Sequence, residues 1–195
     1  ALPIWYRNLR NIPSFRFWED SDRESRVCAR EVGPGFSFRG WDKYYWLTAE
    51  AEIPEAFCGE EVLGLFDFGA PSGTGNNGNF ESLLYINDVP YQAVDGNHRE
   101  VFFGPGVCGK KLQLKFRLWT GLSGGGIPKD NVMEICRAQI GVLDRSADDL
   151  YYLTTAALET YEALSAENEY REWILNVLVK AFCLVDFTEP GSREF

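Results

Sequence analysis

The sequence is poor in the residues that most often carry hydrolytic chemistry. Its 195 residues include one histidine, His98, and five cysteines. One histidine excludes a zinc site built from several histidines, and any Ser-His-Asp or Cys-His machinery must use His98. The cysteines, at positions 28, 58, 108, 136 and 183, form no C-x-x-C pair and no zinc-ligand spacing. Their odd number and wide gaps predict buried, reduced thiols and a cytosolic protein.

Positive charge and long apolar runs are also scarce. Nineteen Lys and Arg stand against 29 Asp and Glu, a formal net charge of −10. Because nucleic acid and anionic membranes bind clustered basic residues, we expect neither as a partner. No run approaches the roughly 20 apolar residues of a membrane-spanning helix. The first residues lack a signal-peptide pattern, and both ends lead us to expect a piece cut from a longer protein.

Short runs of alternating apolar and polar residues fill the chain up to Val142. The clearest are residues 44–53 and 111–119, in which apolar side chains fall on one side of a strand and polar side chains on the other. Turn residues, not helices, separate these runs. The pattern predicts an antiparallel β-sandwich or jelly roll of about seven to nine strands. We assign it to residues 1–143, with an irregular lead-in before Val27.

The remainder of the chain, residues 144–195, is acidic and helical in pattern. Leu150, Leu153 and Ala157 recur at helical spacing, and a second apolar stripe follows from Tyr170 to Leu184. A short polar break at 165–168 separates the two stripes. We predict helices near 146–164 and 168–185, capped at Ser146, forming a hairpin that leads towards a further, catalytic domain.

Two glycine-rich motifs resemble known signatures but lack their context. Residues 73–78 satisfy G-x-G-x-x-G, yet a strand pattern follows where a dinucleotide site requires a helix. Residues 121–125 satisfy G-x-S-x-G around Ser123, yet no helix pattern follows, and His98 precedes the serine. Both are best interpreted as glycine loops.

Two groups of residues are candidates for ligand contacts. The polar segment 95–100 contains Asp95, Asn97, His98 and Glu100, which either contact a ligand at an active-site rim or simply shape a turn. Trp41 and Trp46 belong to an aromatic cluster at 36–46, which either stacks on sugar rings or fills a core or interface.

A resemblance to a known family rests on the segment around these polar residues. The run 81–101 contains Ile86-Asn87, Gln92, Asp95 and Asn97-His98-Arg-Glu-Val101. It resembles the N-terminal, galactose-binding-like jelly-roll domain of glycoside hydrolase family 38 α-mannosidases. Residues 114–121 and the helical pair ending at 184–187 are similar to later parts of the same region. Asp88 and Ala93 stand where the family usually has glycine.

The resemblance implies a parent enzyme whose chemistry lies outside this chain. Family members are zinc-dependent, retaining α-mannosidases, with zinc ligands and nucleophile in a downstream barrel. We therefore expect no catalytic residue, metal ligand or cofactor here, and zinc in the absent catalytic domain. The predicted role is a non-catalytic accessory domain of a cytosolic α-mannosidase that packs on its own catalytic domain and contributes to a homo-oligomer.

Two other functions remain open from the sequence. The chain is alternatively a carbohydrate-binding module for mannose-containing oligosaccharides, which requires exposed, coplanar rings. A third hypothesis is an independent hydrolase that uses Ser123 and His98, which requires hydrogen-bonding distance between the two side chains.

Overall fold

A computed structural model describes residues 5–21, 29–69, 80–122, 128 and 130–188. Within them twelve strands precede two helices. Residues Asn8–Val142 form one compact unit, and the chain from Leu143 onward forms a second together with the first residues of the sequence. The strands are β1 (Tyr6–Asn11), β2 (Phe15–Glu19), β3 (Arg30–Val32), β4 (Ser37–Gly40), β5 (Tyr44–Glu52), β6 (Glu61–Asp67), β7 (Glu81–Ile86), β8 (Val89–Asp95), β9 (Glu100–Phe102), β10 (Lys111–Trp119), β11 (Asn131–Glu134) and β12 (Arg137–Leu143).

The strands form a sandwich, which confirms the predicted fold class. A six-stranded sheet has the order β3-β2-β5-β10-β7-β8, a four-stranded sheet has the order β1-β12-β6-β9, and β4 pairs with β11. Every neighbouring pair of the six-stranded sheet is antiparallel. Its central strands, β5 and β10, pair over their whole lengths, from Tyr44 with Trp119 to Glu52 with Lys111.

The alternation expected in β10 is present and sets the position of the core. Leu114, Phe116 and Leu118 are buried, whereas Gln113 and Arg117 are exposed on the opposite face. Successive side chains of a strand point to opposite faces, so one register places all these apolar groups inside. The Phe116 ring lies 4.8 Å from the Phe66 ring and 4.9 Å from the Phe68 ring, and these contacts join the core side of β10 to β6.

The N-terminal lead-in, expected to be irregular, contains two strands of the sheets. β2 pairs with β5, with Phe17 opposite Leu47 and Trp18 opposite Trp46. Phe15 and Phe17 are buried and Arg16 is exposed, so β2 has the period of two, although over only five residues. In β1 the apolar residues Tyr6 and Leu9 do not alternate. These weak signals explain why the sequence did not predict β1 and β2. Between Val27 and Val142 the structure has ten strands, where seven to nine were predicted.

A disulfide joins Cys58 and Cys108, so the prediction of reduced thiols is wrong for this pair. The sheet brings together the end of β5 and the start of β10, where the Gly109 amide donates to the Ile53 carbonyl at 2.9 Å. A gap of 50 residues in sequence gave no sign of this proximity. Cys136 and Cys183 are free but exposed, not buried as expected. Cys28 lies outside the described residues.

The helical hairpin agrees with the prediction to within a few residues. Its helices are α1 (Arg145–Ala163) and α2 (Glu169–Phe182). The N-cap of α1 is Asp144 and not Ser146, because the Asp144 carboxylate accepts a hydrogen bond from the Ala147 amide at 3.1 Å. Arg171 ties the hairpin together: it donates to the Leu164 carbonyl at 2.7 Å and lies over the Tyr161 ring. Neither helix is long and apolar enough to cross a membrane, and the same holds throughout the described ranges.

Candidate functional site

The polar segment 95–100 forms a tight turn that hydrogen-bonds to itself. Asp95 ends β8, and its carboxylate accepts hydrogen bonds from the Asn97 amide at 2.7 Å and the His98 amide at 3.0 Å. The His98 ring nitrogen Nδ1 lies 3.0 Å from both oxygens of the same carboxylate. Carboxylates commonly stabilise turns in this way, so the geometry accounts for Asp95 and His98 without a ligand.

The electrostatics of Asp95 follow from these contacts. Partial burial raises the pKa of the carboxyl group, but hydrogen bonds from His98 and from the Asn97 and His98 amides outweigh it, so that the pKa lies below its ordinary value. The His98 side chain is 67% exposed, and Asn97 is exposed as well. Glu100 begins β9 and is half-buried. The role predicted for these residues at an active-site rim stays a prediction.

Trp41 and Trp46 do not join the turn to form one site. Trp41 lies in the bend between β4 and β5, half-buried, and its indole N–H is buried without a hydrogen-bond partner in the described part of the chain. Trp46 projects from β5, on the sheet face opposite the core. Strands β10 and β7 separate β5 from β8, so Asp95 and Trp46 stand on strands roughly 14 Å apart.

The surface around Trp46 is the most distinctive feature of the sandwich, and we call it the outer face. It is the side of the six-stranded sheet turned away from the core. Trp18 on β2 lies beside Trp46, with 6.2 Å between ring centroids and 20° between ring planes. Tyr85 on β7 lies on the other side, with its ring centroid 5.8 Å from that of Trp46. Together the three rings form a band across the strands. Both tryptophans are half-buried and thus less exposed than the rings expected of a sugar platform.

The outer face contains a depression of about 1190 Å³, which is lined by polar side chains as well as by the two tryptophans. Its lining comprises Ser14, Arg16, Trp18, Asp20, Ser21, Glu31, Trp46, Thr48, Ala49, Glu50, Gln113, Leu114, Lys115 and Arg117. Most of these residues sit on β2, β5 and β10 at alternate positions. A rigid sheet therefore holds them in place, without dependence on a mobile loop.

Most charges of the outer face are paired with each other. Arg117 donates to Asp20 at 2.8 Å and lies over the Tyr44 ring. Lys111 pairs with Glu50 at 2.7 Å, and Lys115 contacts Asp88 in the turn between β7 and β8. These ion pairs are solvent-exposed and contribute little stability, but they restrict the side chains that border the depression.

Arg16 and Glu31 have no ion pair among the described residues. Arg16 is exposed, two positions from Trp18 on the same side of β2. Its cross-strand partners by register are Thr48 on β5 and Glu31 on β3. A guanidinium and a carboxylate are therefore available to a ligand beside the ring band.

Of the residues on this face, the sequence singled out Trp46 alone as a candidate. Arg16 and Trp18 were missed because they lie in the supposed lead-in, although their alternation with Phe15 and Phe17 was a usable signal. Lys115 and Arg117 were recognised only as the polar side of a strand. Their proximity to Trp18 depends on the pairing of β5 with β2 and β10.

The other motifs add no chemistry that can be described. Ser123 and residues 73–78 lie outside the described residues, so the distance between Ser123 and His98 is not defined. Within the described ranges, no group of three or more His, Cys, Asp and Glu side chains is arranged to hold a metal ion.

Solved structures of Ruminococcus gnavus beta-glucuronidase, a glycoside hydrolase, match part of the chain. The complex with uronic deoxynojirimycin has a TM-score of 0.49 and 11% identity, and the match covers 72% of this chain and 30% of that one. For another crystal structure of the enzyme these values are 0.48, 12%, 70% and 29%. This chain thus spans less than a third of the structures it matches. At such TM-scores the likeness carries no information on ligand or activity. No family model and no curated protein matches the sequence.

Proposed function

We propose that this chain is a non-catalytic, carbohydrate-binding accessory domain of a glycoside hydrolase. The observation that carries the proposal is the outer face, where Trp18 and Trp46 present nearly parallel rings within a depression lined by polar side chains. The opposite side of this sheet already packs a complete core, so the rings on the outer face are not needed to form it. Contiguous apolar groups on a protein surface indicate a binding site for a ligand or partner.

The chemistry of this face suits a sugar. A pyranose has one apolar face of C–H groups, which packs on the electron-rich face of an aromatic ring. Its hydroxyl groups both donate and accept hydrogen bonds, as a guanidinium and a carboxylate do between them. Because β-strands hold the rings and polar groups, little conformational entropy is lost when the ligand binds.

The parent enzyme in this proposal is a zinc-dependent α-mannosidase of glycoside hydrolase family 38. Its support is the sequence resemblance at residues 81–121. In that enzyme the domain packs on its own catalytic domain, supplies a contact for mannose-containing oligosaccharides and contributes to a homo-oligomer. The Cys58–Cys108 disulfide supports an oxidising compartment for the parent, in place of the cytosolic location expected from the sequence.

Substitution of the two tryptophans tests the proposal directly. Binding of the isolated chain to mannose-containing and other neutral oligosaccharides is measured by calorimetry and by intrinsic fluorescence. Trp18→Ala and Trp46→Ala should each weaken binding about tenfold or more, because each removes one stacking surface. Trp173→Ala is the matched control, since this exposed ring lies on α2 and not on the outer face.

Two results would contradict the proposal. One is the absence of binding to any oligosaccharide by the folded, oxidised chain. The other is equal weakening by Trp173→Ala, which would indicate nonspecific contact with exposed rings. Thermal melting of each variant verifies that lost binding does not arise from unfolding.

The accessory role predicts no hydrolysis by the chain alone. Purified, sequence-verified chain should not cleave an aryl α-mannoside, with or without added zinc, because no metal or nucleophile is assigned to it. Cleavage above a mock preparation would contradict this assignment.

We further propose that the Asp95–Glu100 loop faces the catalytic domain in the full-length enzyme, near the entrance to the sugar site. The second ring nitrogen of His98 is not used by Asp95 and is available to a hydroxyl group or a barrel residue. Replacing His98 with Ala in the full-length enzyme should then lower kcat/KM about tenfold, or about 1.4 kcal/mol, with little change in Tm. Unchanged kinetics would leave only the turn-forming role.

A further inference from the structure

We infer that the outer face binds uncharged glycans in preference to acidic ones, and that Arg16 hydrogen-bonds to adjacent hydroxyl groups of the glycan. This inference rests on the proposed carbohydrate-binding function and names the class of ligand. It follows from the balance of charges in the depression and from the position of Arg16 beside the ring band.

The depression has no excess of positive charge for an acidic polymer. Three basic side chains and three acidic ones line it, and the whole chain has a formal net charge of −10. Lys115 and Arg117 are already neutralised by Asp88 and Asp20. Polyanions bind through several unneutralised cations and release counterions as they do so. Of the described basic side chains that line the depression, Arg16 alone has no ion pair, so an acidic glycan meets one unneutralised cation among them.

The neighbours of Arg16 favour hydroxyl groups over a carboxylate. Glu31 stands directly across from Arg16 in the β2–β3 register, and Thr48 stands across from it on β5. A sugar carboxylate at Arg16 would be repelled by Glu31. Two adjacent hydroxyl groups instead accept from the planar guanidinium fork and donate to the carboxylate, which satisfies both charges.

The ring band gives the ligand a direction and a minimum length. Arg16, Thr48, Lys115 and Tyr85 occupy one row across β2, β5, β10 and β7. This row spans three interstrand spacings, roughly 14 Å. Trp18 and Trp46 flank it on the neighbouring row. A ligand in contact with both Arg16 and Tyr85 is therefore an oligosaccharide lying across the strands, longer than a single sugar.

Matched pairs of oligosaccharides test the choice of ligand. Neutral hexamers of glucose, mannose and galactose are compared with the corresponding hexamers of glucuronate, mannuronate and galacturonate, which differ in oxidation at C6. Calorimetry at low and high NaCl concentration gives affinity and salt dependence for each. We expect a neutral hexamer to bind about tenfold tighter than its acidic counterpart, with less than about a twofold change in affinity between the two salt concentrations.

The outcomes separate this inference from the proposed function. Tighter binding of an acidic hexamer, weakened by salt, would overturn the inference and leave the carbohydrate-binding function intact. No binding of any hexamer would overturn both. For any hexamer that binds, loss of binding in Trp46→Ala would show that it binds to the outer face, and full binding by folded Trp46→Ala would overturn the assignment to this face.

Arg16→Lys tests the role of the planar fork, because it keeps the charge and removes the paired donors. We expect this variant to weaken binding of the neutral hexamer about tenfold. Arg39→Lys, at an exposed position of β4 outside the depression, is the matched control and should bind like the original chain. Full binding by folded Arg16→Lys would overturn the assignment of Arg16, since a point charge would then suffice.

Discussion

The sandwich and the helical hairpin bury apolar residues to very different extents. In the sandwich, residues such as Leu47, Phe66 and Phe116 have no exposed surface. In the hairpin, Ala147 is the one buried residue of α1 and α2 has none, while Trp173 is 62% exposed. Since burial of apolar surface is the main stabilising contribution to a fold, the sandwich has its own source of stability and the hairpin depends on local interactions. Amide exchange should therefore proceed at a lower free energy in α1 and α2 than in β5 and β10.

The largest effect should come from removal of the disulfide within the sandwich. Cys58→Ser with Cys108→Ser releases a loop of 50 residues in the unfolded chain. Loop-closure entropy gives a loss of about 4 kcal/mol in the free energy of unfolding. Denaturant titrations with tryptophan fluorescence measure it. Cys136→Ser, a free and exposed cysteine, is the control and should change stability by less than about 0.5 kcal/mol.

A smaller loss is expected when a methyl group is added to the centre of the sandwich. A Cβ at Gly64 on β6 would lie 2.4 Å from Cε2 of Phe66 and 2.9 Å from Cζ of Phe103. Gly64→Ala should therefore cost about 1–3 kcal/mol, because a packed core resists overfilling. Gly59→Ala meets no neighbouring atom but has a φ of +86°, so its loss measures backbone strain alone. An unchanged free energy of unfolding in Gly64→Ala would contradict tight packing at Gly64.

The hairpin is tested at its N-cap. Asp144→Ala removes the acceptor of the Ala147 amide and should cost about 1 kcal/mol of stability in α1. Ser146→Ala is the control, because Ser146 is the cap that the sequence pattern indicated and the structure does not use. Circular dichroism at 222 nm during thermal unfolding compares the two. A larger loss in Ser146→Ala would contradict the observed start of α1.

The smallest effect concerns pH and the Asp95–His98 turn. The pKa of Asp95 is lower in the folded chain than its ordinary value of about 3.9 in the unfolded chain. The ionised carboxylate therefore stabilises the folded chain fully above the unfolded pKa, and this stabilisation is lost as the pH falls through the folded pKa. Asp95→Asn should remove this acid dependence, at a cost of about 1 kcal/mol or less at neutral pH. NMR titration of the Asp95 carboxyl group measures the pKa directly. A value at or above the ordinary one would contradict the hydrogen bonds of the turn.

The elements predictable from the sequence were those whose periodic pattern continues over many residues. The alternation over nine residues of β10 and the two helical stripes gave correct elements. Short strands such as β2 fell below the length at which alternation is distinctive. The disulfide and the ring band were not predictable, because each joins residues from distant segments through strand order. The density of polar residues at 95–100 suggested a ligand site, but Asp95 and His98 form hydrogen bonds within the turn itself.

The position of the Cys58–Cys108 bond has a consequence for how quickly the chain folds. The central pair of the large sheet joins β5 to β10, so Glu52 must pair with Lys111, which is far from it in the sequence. Pairings this distant in sequence make folding slow, because chain entropy is lost before the contacts form. The bond lies just beyond that end of the pair. Once it has formed, the two strands are connected as closely as in a hairpin, and they can zip from Glu52 and Lys111 towards Tyr44 and Trp119. Oxidised chain should therefore refold faster than reduced chain.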